Sequence, residues 1–289
     1  MPAVDLRPLS LGEILDRTFT LYRRHFLLFL GISAIPQLLI LAMNLVQTLF
    51  LTVPHAASRP VGGQIPRGPS GGLLAFGVVG FFVALIIYLV AYLFAQGGTI
   101  YAVSDLYLGR PTTIGASLRR MWGQLANLFG VTFLNGCVIL IGMIFLIIPG
   151  VYLACRLITC VPAALLEDLG ARESLERSYG LTKDNAGRAF VIGFLFFAML
   201  YAVNVLFMIP FGIVLAFSAK DPSLARLALV LMQVGSFLAT ILVNPFFLIA
   251  TSVFYYDLRV RKEGFDLQLM LNSAEVVPSA GSSVPSMLS

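Results

Sequence analysis

The run VTFLNGCVILIGMIFLII (residues 131–148) is apolar throughout, breaks at Pro149-Gly150, and returns as VYLACRLITCVPAALL (151–166). The chain then turns polar at EDLGARESLER (167–177). Two apolar runs of near-membrane length joined by a short uncharged turn read as a hairpin in lipid. The charged segment after it reads as a helix on the membrane surface.

The rest of the chain repeats this plan. Further apolar runs cover about 26–53, 73–94, 189–217 and 227–254, which makes six spans with 131–148 and 151–166. Composition requires such a solvent: 58% of the 289 residues are hydrophobic and 11% charged, with a mean hydropathy of +0.92. Soluble domains carry about 25% charged residues. The fold class expected is an all-α integral membrane protein with six transmembrane helices in three hairpins, each preceded by a cytoplasmic amphipathic interfacial helix. Residues 1–271 form its membrane domain and 272–289, rich in Ser and Pro, a disordered tail. Charges from Asp5 to Arg24 precede the first apolar run, which is too long for a signal-peptide core, so no cleavable leader is expected.

The three surface helices have their own signals. Ser10 and Glu13 stand at capping-box spacing and start the first. There Leu11, Ile14, Leu15, Phe19, Leu21 and Tyr22 share one face and Asp16, Arg17, Arg23 and Arg24 the other. Thr113 caps the second, with Ile114, Leu118, Met121, Trp122 and Leu125 opposite Arg119 and Arg120; the third lies in 167–181. GEILDR (12–17) matches GASLRR (115–120), with LER (175–177) a shorter third copy, so the unit of surface helix, span and return span reads as a threefold internal repeat about an axis along the membrane normal. Arg17, Phe19, Arg120, Trp122 and Arg177 are the expected interfacial anchors, aromatic rings at headgroup depth and guanidinium groups toward lipid phosphates.

Between these elements the sequence predicts connections. Residues 54–72, with four prolines and several glycines, read as a mobile external loop. Gln96-Gly97-Gly98 reads as a polar bend, Ile148-Pro149-Gly150 as the hairpin turn, Thr182–Asn185 as a second turn, and Ser218–Ser223 as a third.

An even number of spans places both termini on one side. Fourteen basic residues fall on that side, against four (Arg59, Arg67, Lys220 and Arg226) on the other. The positive-inside rule makes the rich side cytoplasmic, in a bacterial inner membrane.

Polar residues within the spans are the candidates for function. Arg156 is the one charge there; together with Asn135, Asn204, Gln233 and Asn244 it could line a substrate or lipid path. The competing readings are snorkelling of Arg156 to the outer headgroups and ordinary interhelical hydrogen bonds for the amides. Cys137, Cys155 and Cys160 form no CxxC pair and read as small packed thiols. No P-loop, HExxH motif or GxSxG elbow occurs, so no catalytic residues, metal or cofactor are expected. Basic residues interspersed with acids suit anionic lipid headgroups, not a nucleic-acid groove.

Four segments in order, LRPLSLGEILDR (6–17), IPGVY (148–152), ERSYGLT (176–182) and YYDLRVRKEGFDL (255–267), resemble the bacterial membrane domain named after glycerophosphoryl diester phosphodiesterases. In fused members of that family the hydrolase is a separate soluble barrel. Only 34 residues follow Tyr255 and none is a histidine, so the resemblance implies the membrane module without its hydrolase, and it brings no catalytic residues. The function expected is a non-enzymatic membrane protein that organises lipids or partner proteins, with homo-oligomers among the possible partners. A transporter or lipid carrier is the alternative and an intramembrane enzyme the third reading.

Overall fold

Local signals set the helix starts. In the computed structural model, which describes residues 7–48, 71–218 and 221–264, Ser10 Oγ accepts the Glu13 N–H at 3.3 Å and Glu13 Oε2 accepts the Ser10 N–H at 2.7 Å. This capping box opens α1 (Leu11–Arg24). α2 (Phe26–Val46) follows directly, then α3 (Gly71–Tyr107). Thr113 Oγ1 accepts the Ala116 N–H and opens α4 (Ile114–Met121), which passes through a 3-10 turn (Trp122–Gln124) into α5 (Leu125–Phe145). α6 (Ile147–Arg156), α7 (Cys160–Leu166), α8 (Ala171–Leu181), α9 (Ala186–Phe217) and α10 (Pro222–Glu263) complete the order. Asp221 caps α10 by accepting the Ser223 and Leu224 N–H groups. No strand occurs among the described residues.

Among the described residues, six segments are long and apolar enough to cross a membrane: Phe26–Val46, Val79–Tyr107, Ile114–Phe145, Ile147–Leu166, Ala186–Phe217 and Ser223–Glu263. The external loop expected at 54–72 lies almost entirely, and the tail at 272–289 wholly, outside the described residues, as do Arg59, Arg67 and Lys220.

Two connections differ from expectation. Gln96-Gly97-Gly98 is no bend: α3 runs straight through it. The glycines serve packing instead, because a Cβ on Gly97 would collide with the Met121 side chain and one on Gly98 would lie 2.9 Å from Leu118 Cδ2. α4 crosses α3 at this point, and only a missing side chain admits it. The hairpin turn is also displaced. The helix break falls at Leu146, one extended residue (φ −166°, ψ 145°), and Pro149 lies in the first turn of α6, where its missing N–H leaves no helical bond unmade. Gly150 then approaches α5 so closely that a Cβ would meet the Met143 backbone nitrogen at 2.7 Å. The expected continuous span 151–166 is likewise two helices, parted at residues 157–159.

The packed core sits at one end of the molecule. The end of α10 is buried on all sides from Leu248 to Leu258, enclosed by α1, α3, α7, α8 and the foot of α9. Tyr101, Phe254 and Tyr255 are among its largest fully buried side chains. Away from that end α9 packs antiparallel on α10, Phe196 stacking on Phe247 with ring centroids 4.3 Å apart, and α9 leaves Phe194, Phe197, Tyr201 and Leu206 exposed.

Candidate functional site: a buried polar belt and two cavities

The buried end of α10 carries carboxylates and guanidinium groups that fold into its core. Asp257 is at the centre, its side chain fully buried. It accepts hydrogen bonds from the Leu9 N–H at 2.6 Å, from Arg188 Nη1 at 2.8 Å and from Arg261 Nε at 3.0 Å. Arg188 and Arg261 each also donate to the Leu9 carbonyl. One carboxylate thereby ties the chain ahead of α1 to α9 and α10. A buried charge survives only with such complete pairing.

A second network lies beside it. Glu167, at the end of α7, accepts a two-bond fork from Arg177 of α8 at 2.7 and 2.9 Å and the Tyr255 hydroxyl at 2.5 Å. Arg177 also pairs with Glu263, which in turn holds Arg259 at 3.1 Å. Burial draws the Arg177 pKa down, but the hydrogen bonds it donates to Glu167 and Glu263 outweigh this and raise the pKa above the ordinary arginine value. The residue is a fixed cation. Tyr256 closes the belt, hydrogen-bonded to Ser104 at 2.7 Å and stacked on Tyr107, whose hydroxyl accepts from Arg17 at 3.1 Å.

The expected anchors therefore divide by chemistry. Arg17 and Arg177 bond within the protein, and Arg120 lies 3.6 Å from Asp105 with its guanidinium 4.3 Å over the Tyr101 ring. Phe19 and Trp122 are the exposed members; Trp122 is 77% exposed, with Phe94 beside its ring.

Arg156 is 5% exposed and turns toward α8, not toward the hairpin turn. Nη2 donates to the Tyr179 carbonyl at 2.8 Å, and the guanidinium lies 3.8 Å over the Tyr179 ring and 5.8 Å from that of Tyr152. Its own carbonyl accepts from Ser178 and Thr182 at 3.0 and 2.8 Å. A snorkelling arginine would extend along its stem toward water; this one is captured by the carbonyl end and the aromatic face of α8. Its Nε has no partner. A depression of about 640 Å³ opens there, lined by Tyr152, Arg156, Tyr179, Lys183, Asp184 and Gly187.

A separate cavity of about 320 Å³ lies between α2, α9 and α10, lined in part by Gln37, Asn44, Gln233, Ser236 and Thr240. Gln233 donates to Thr48 at 2.5 Å, and Ser236 donates to Asn204 at 3.3 Å. So Gln233 and, through Ser236, Asn204 come together here. Arg156 is not among them. Asn135 has a buried Oδ1 without a partner on α5, and Asn244 is half-buried on α10; neither lines this cavity or the depression at Arg156.

The belt residues Asp257, Glu167 and Arg188 were not singled out by sequence, because each stands at a helix end where a charge is unremarkable. The one signal was recurrence, and it bears on Asp257 alone: Asp105-Leu106, Asp168-Leu169 and Asp257-Leu258 close apolar runs in the same way. The three cysteines are free thiols, Cys160 buried and the others half-buried.

Residues 135–277 match the family described as the membrane domain of glycerophosphoryl diester phosphodiesterase. The matched stretch holds Arg156, α8 and the carboxylates Glu167 and Asp257, whereas α1 to α4 lie before it. No curated protein and no solved structure matches the chain.

Proposed function

We propose that this chain, which through residues 135–277 belongs to the membrane-domain family of glycerophosphoryl diester phosphodiesterase, is a non-enzymatic module that gathers anionic lipids at the cytoplasmic face of a bacterial membrane. In this reading the polar belt faces the cytoplasm, as the fourteen-to-four split of basic residues requires, and α1, α4 and α8 are its three interfacial helices, each leading into a pair of membrane helices in a threefold repeat.

One observation carries the reading. While Arg177, Arg188 and Arg261 are consumed by internal carboxylates, Arg23, Arg24, Arg110 and Arg119 are exposed outside those networks. Arg23 and Arg24 share α1 with the exposed ring of Phe19, and Arg110 and Arg119 lie before and on α4, which the exposed ring of Trp122 directly follows. Guanidinium groups beside aromatic rings at a membrane boundary combine attraction to phosphate with burial at headgroup depth. Each such residue is worth about 1 kcal/mol at an anionic surface. The carrier reading needs its five polar residues in one path, and Arg156 and Gln233 belong to separate cavities.

The test is mass spectrometry of lipids retained with the protein in native membrane discs. Anionic phospholipid should be enriched over the bulk membrane, and the enrichment should fall in a combined Arg23→Gln, Arg24→Gln, Arg119→Gln variant. Bulk-like lipid with both proteins overturns the reading, as does turnover of a phospholipid by the purified chain.

A further inference from the structure

The hairpin formed by α5 and α6 meets the polar belt at both feet. At the α5 foot, Gln124 donates to Asp168 at 3.0 Å and Asn127 to the Leu169 carbonyl at 2.9 Å. At the α6 foot, Arg156 holds the Tyr179 carbonyl. The level of this second foot is fixed from elsewhere: Lys262, in the last turn of α10, donates to the carbonyls of Gly180 and Lys183 at 3.0 and 2.8 Å. α8 lies along the base between the feet, from Ala171 beside Gly130 to Tyr179 beside Val138 and Leu153.

Both arms then give a similar height. From Arg156 back to Ile147 is nine residues of helix, about 14 Å; α5 is 21 residues long, but its part from Gly130 to Val138 runs beside α8, and beyond Val138 only seven residues, about 11 Å, remain to Phe145. Neither stretch beyond α8 approaches the ~30 Å of a hydrocarbon core, although α5 over its whole length would. α9 begins at the Arg156 depression, where Ala186 and Gly187 form part of the wall, and continues for 32 residues, about 48 Å. The hairpin stops at roughly a third of that length.

Its tip is built to stay in hydrocarbon. Phe145 and Ile148 are each 79% exposed, with Leu146 and Ile147 exposed between them, and no charged residue occurs from Leu125 to Cys155. A turn reaching far headgroups would carry polar or Trp/Tyr residues. Backbone polar groups at membrane depth must be satisfied internally. The extended Leu146 meets that demand for its own two groups: its N–H donates to the Gly142 carbonyl at 3.1 Å and its carbonyl accepts the Gly150 N–H at 3.2 Å, while α6 opens without a capping side chain. Pro149 adds no donor.

From these observations we infer that the α5–α6 hairpin does not cross the membrane: it enters from the belt side, turns within the adjoining leaflet at Leu146, and returns, so that α2, α3, α9 and α10 alone span. Its partner is the acyl-chain layer of a single leaflet. The inference rests on the lipid-facing reading for that partner and gives it a location. The fourteen-to-four charge split and the common side of the termini are untouched, because the turn contributes no charge.

The test is depth-dependent fluorescence quenching in proteoliposomes. Trp122, the only tryptophan, is replaced by Phe, and one probe is introduced at a time: Ile148→Trp at the tip, or Phe217→Trp at the far end of α9. Size exclusion and helical circular dichroism check that each variant folds, and Phe145→Trp replaces Ile148→Trp if that variant does not. The tip probe should be quenched about twofold more by lipid brominated near the chain end than by lipid brominated near the headgroup, the reverse of the α9 probe. A tip probe quenched chiefly near the headgroups overturns the inference, whether it is reached by an aqueous quencher from the far side (a true crossing) or from the belt side (a surface hairpin). Lipid enrichment in discs reads the proposed function independently of either result.

Discussion

α9 and α10 pack against each other along much of their length and are both long, apolar and interrupted by one proline, yet they meet different surroundings. In the most apolar window of α9, 6% of residues are buried; in that of α10, 61%. α9 spends its apolar surface on lipid. α10 spends its final turns inside a shell of α1, α3, α7 and α8, and there its charges are Asp257, Arg259 and Arg261 instead of apolar groups. Apolar character alone therefore does not distinguish a lipid-facing helix from a core helix. The charges do: along α9 no charged residue follows Arg188, whereas at the buried end of α10 Asp257 and Arg259 pair with Arg188 and Glu167, and Arg261 donates to the Leu9 carbonyl.

The sharpest way to break the comparison is at its centre. Asp257→Ala leaves Arg188, Arg261 and the Leu9 N–H without their shared acceptor. Loss of one partner from a buried ion pair costs about 3–5 kcal/mol. Thermal unfolding in detergent should drop by the largest margin of any single change considered, with the segment before α1 becoming sensitive to protease. Glu167→Gln keeps the shape but removes the charge that Arg177 and Tyr255 share, and should cost roughly 2 kcal/mol in the same assay. Gly150→Ala forces a Cβ against the Met143 backbone, which cannot move as a side chain could, and should cost about 1–3 kcal/mol. Gly180→Ala, in open space on α8, is its control and should be neutral or slightly stabilising.

On the lipid side, Phe197→Leu at an exposed position of α9 should change stability by less than about 0.5 kcal/mol. A loss comparable to that of Gly150→Ala would show that this face is covered by protein. The smallest effect is a pH response at the start of α1. The backbone and side-chain hydrogen bonds from Ser10, with Arg7 adding to them, hold the Glu13 carboxyl near 2, below its ordinary 4.5. A depressed carboxyl stabilises the fold above its unfolded pKa, so this contribution is intact above about pH 4.5 and is lost as pH falls from there toward 2. The hydrogen-exchange protection factor of the first turn of α1, taken against the intrinsic rate at each pH, should fall over that range and stay level between pH 5 and 8.

Much was legible in the linear order. Ser10 and Glu13 start α1 and Thr113 starts α4 because capping is local, needing only residues three apart. The six apolar segments are legible for the same reason, since hydropathy is a property of composition. The Gln96-Gly97-Gly98 bend was misread because glycine serves both turns and close packing, and Met121, which selects the second, is distant in sequence. The five candidate polar residues show the same limit. Gln233 and Asn204 meet near one cavity through helix pairing, while Arg156 is drawn to Tyr179, 23 residues on, by a fold of the chain that no spacing announces.

The sequence by itself determined the solvent of this protein, its helical class and the ends of its helices, all of which follow from composition and short-range hydrogen bonding. Tertiary structure alone decided which apolar surface meets lipid and which meets protein. It also decided which arginines remain for the outside and how deep the α5–α6 hairpin reaches, because burial and depth are set by contacts between segments far apart in the chain.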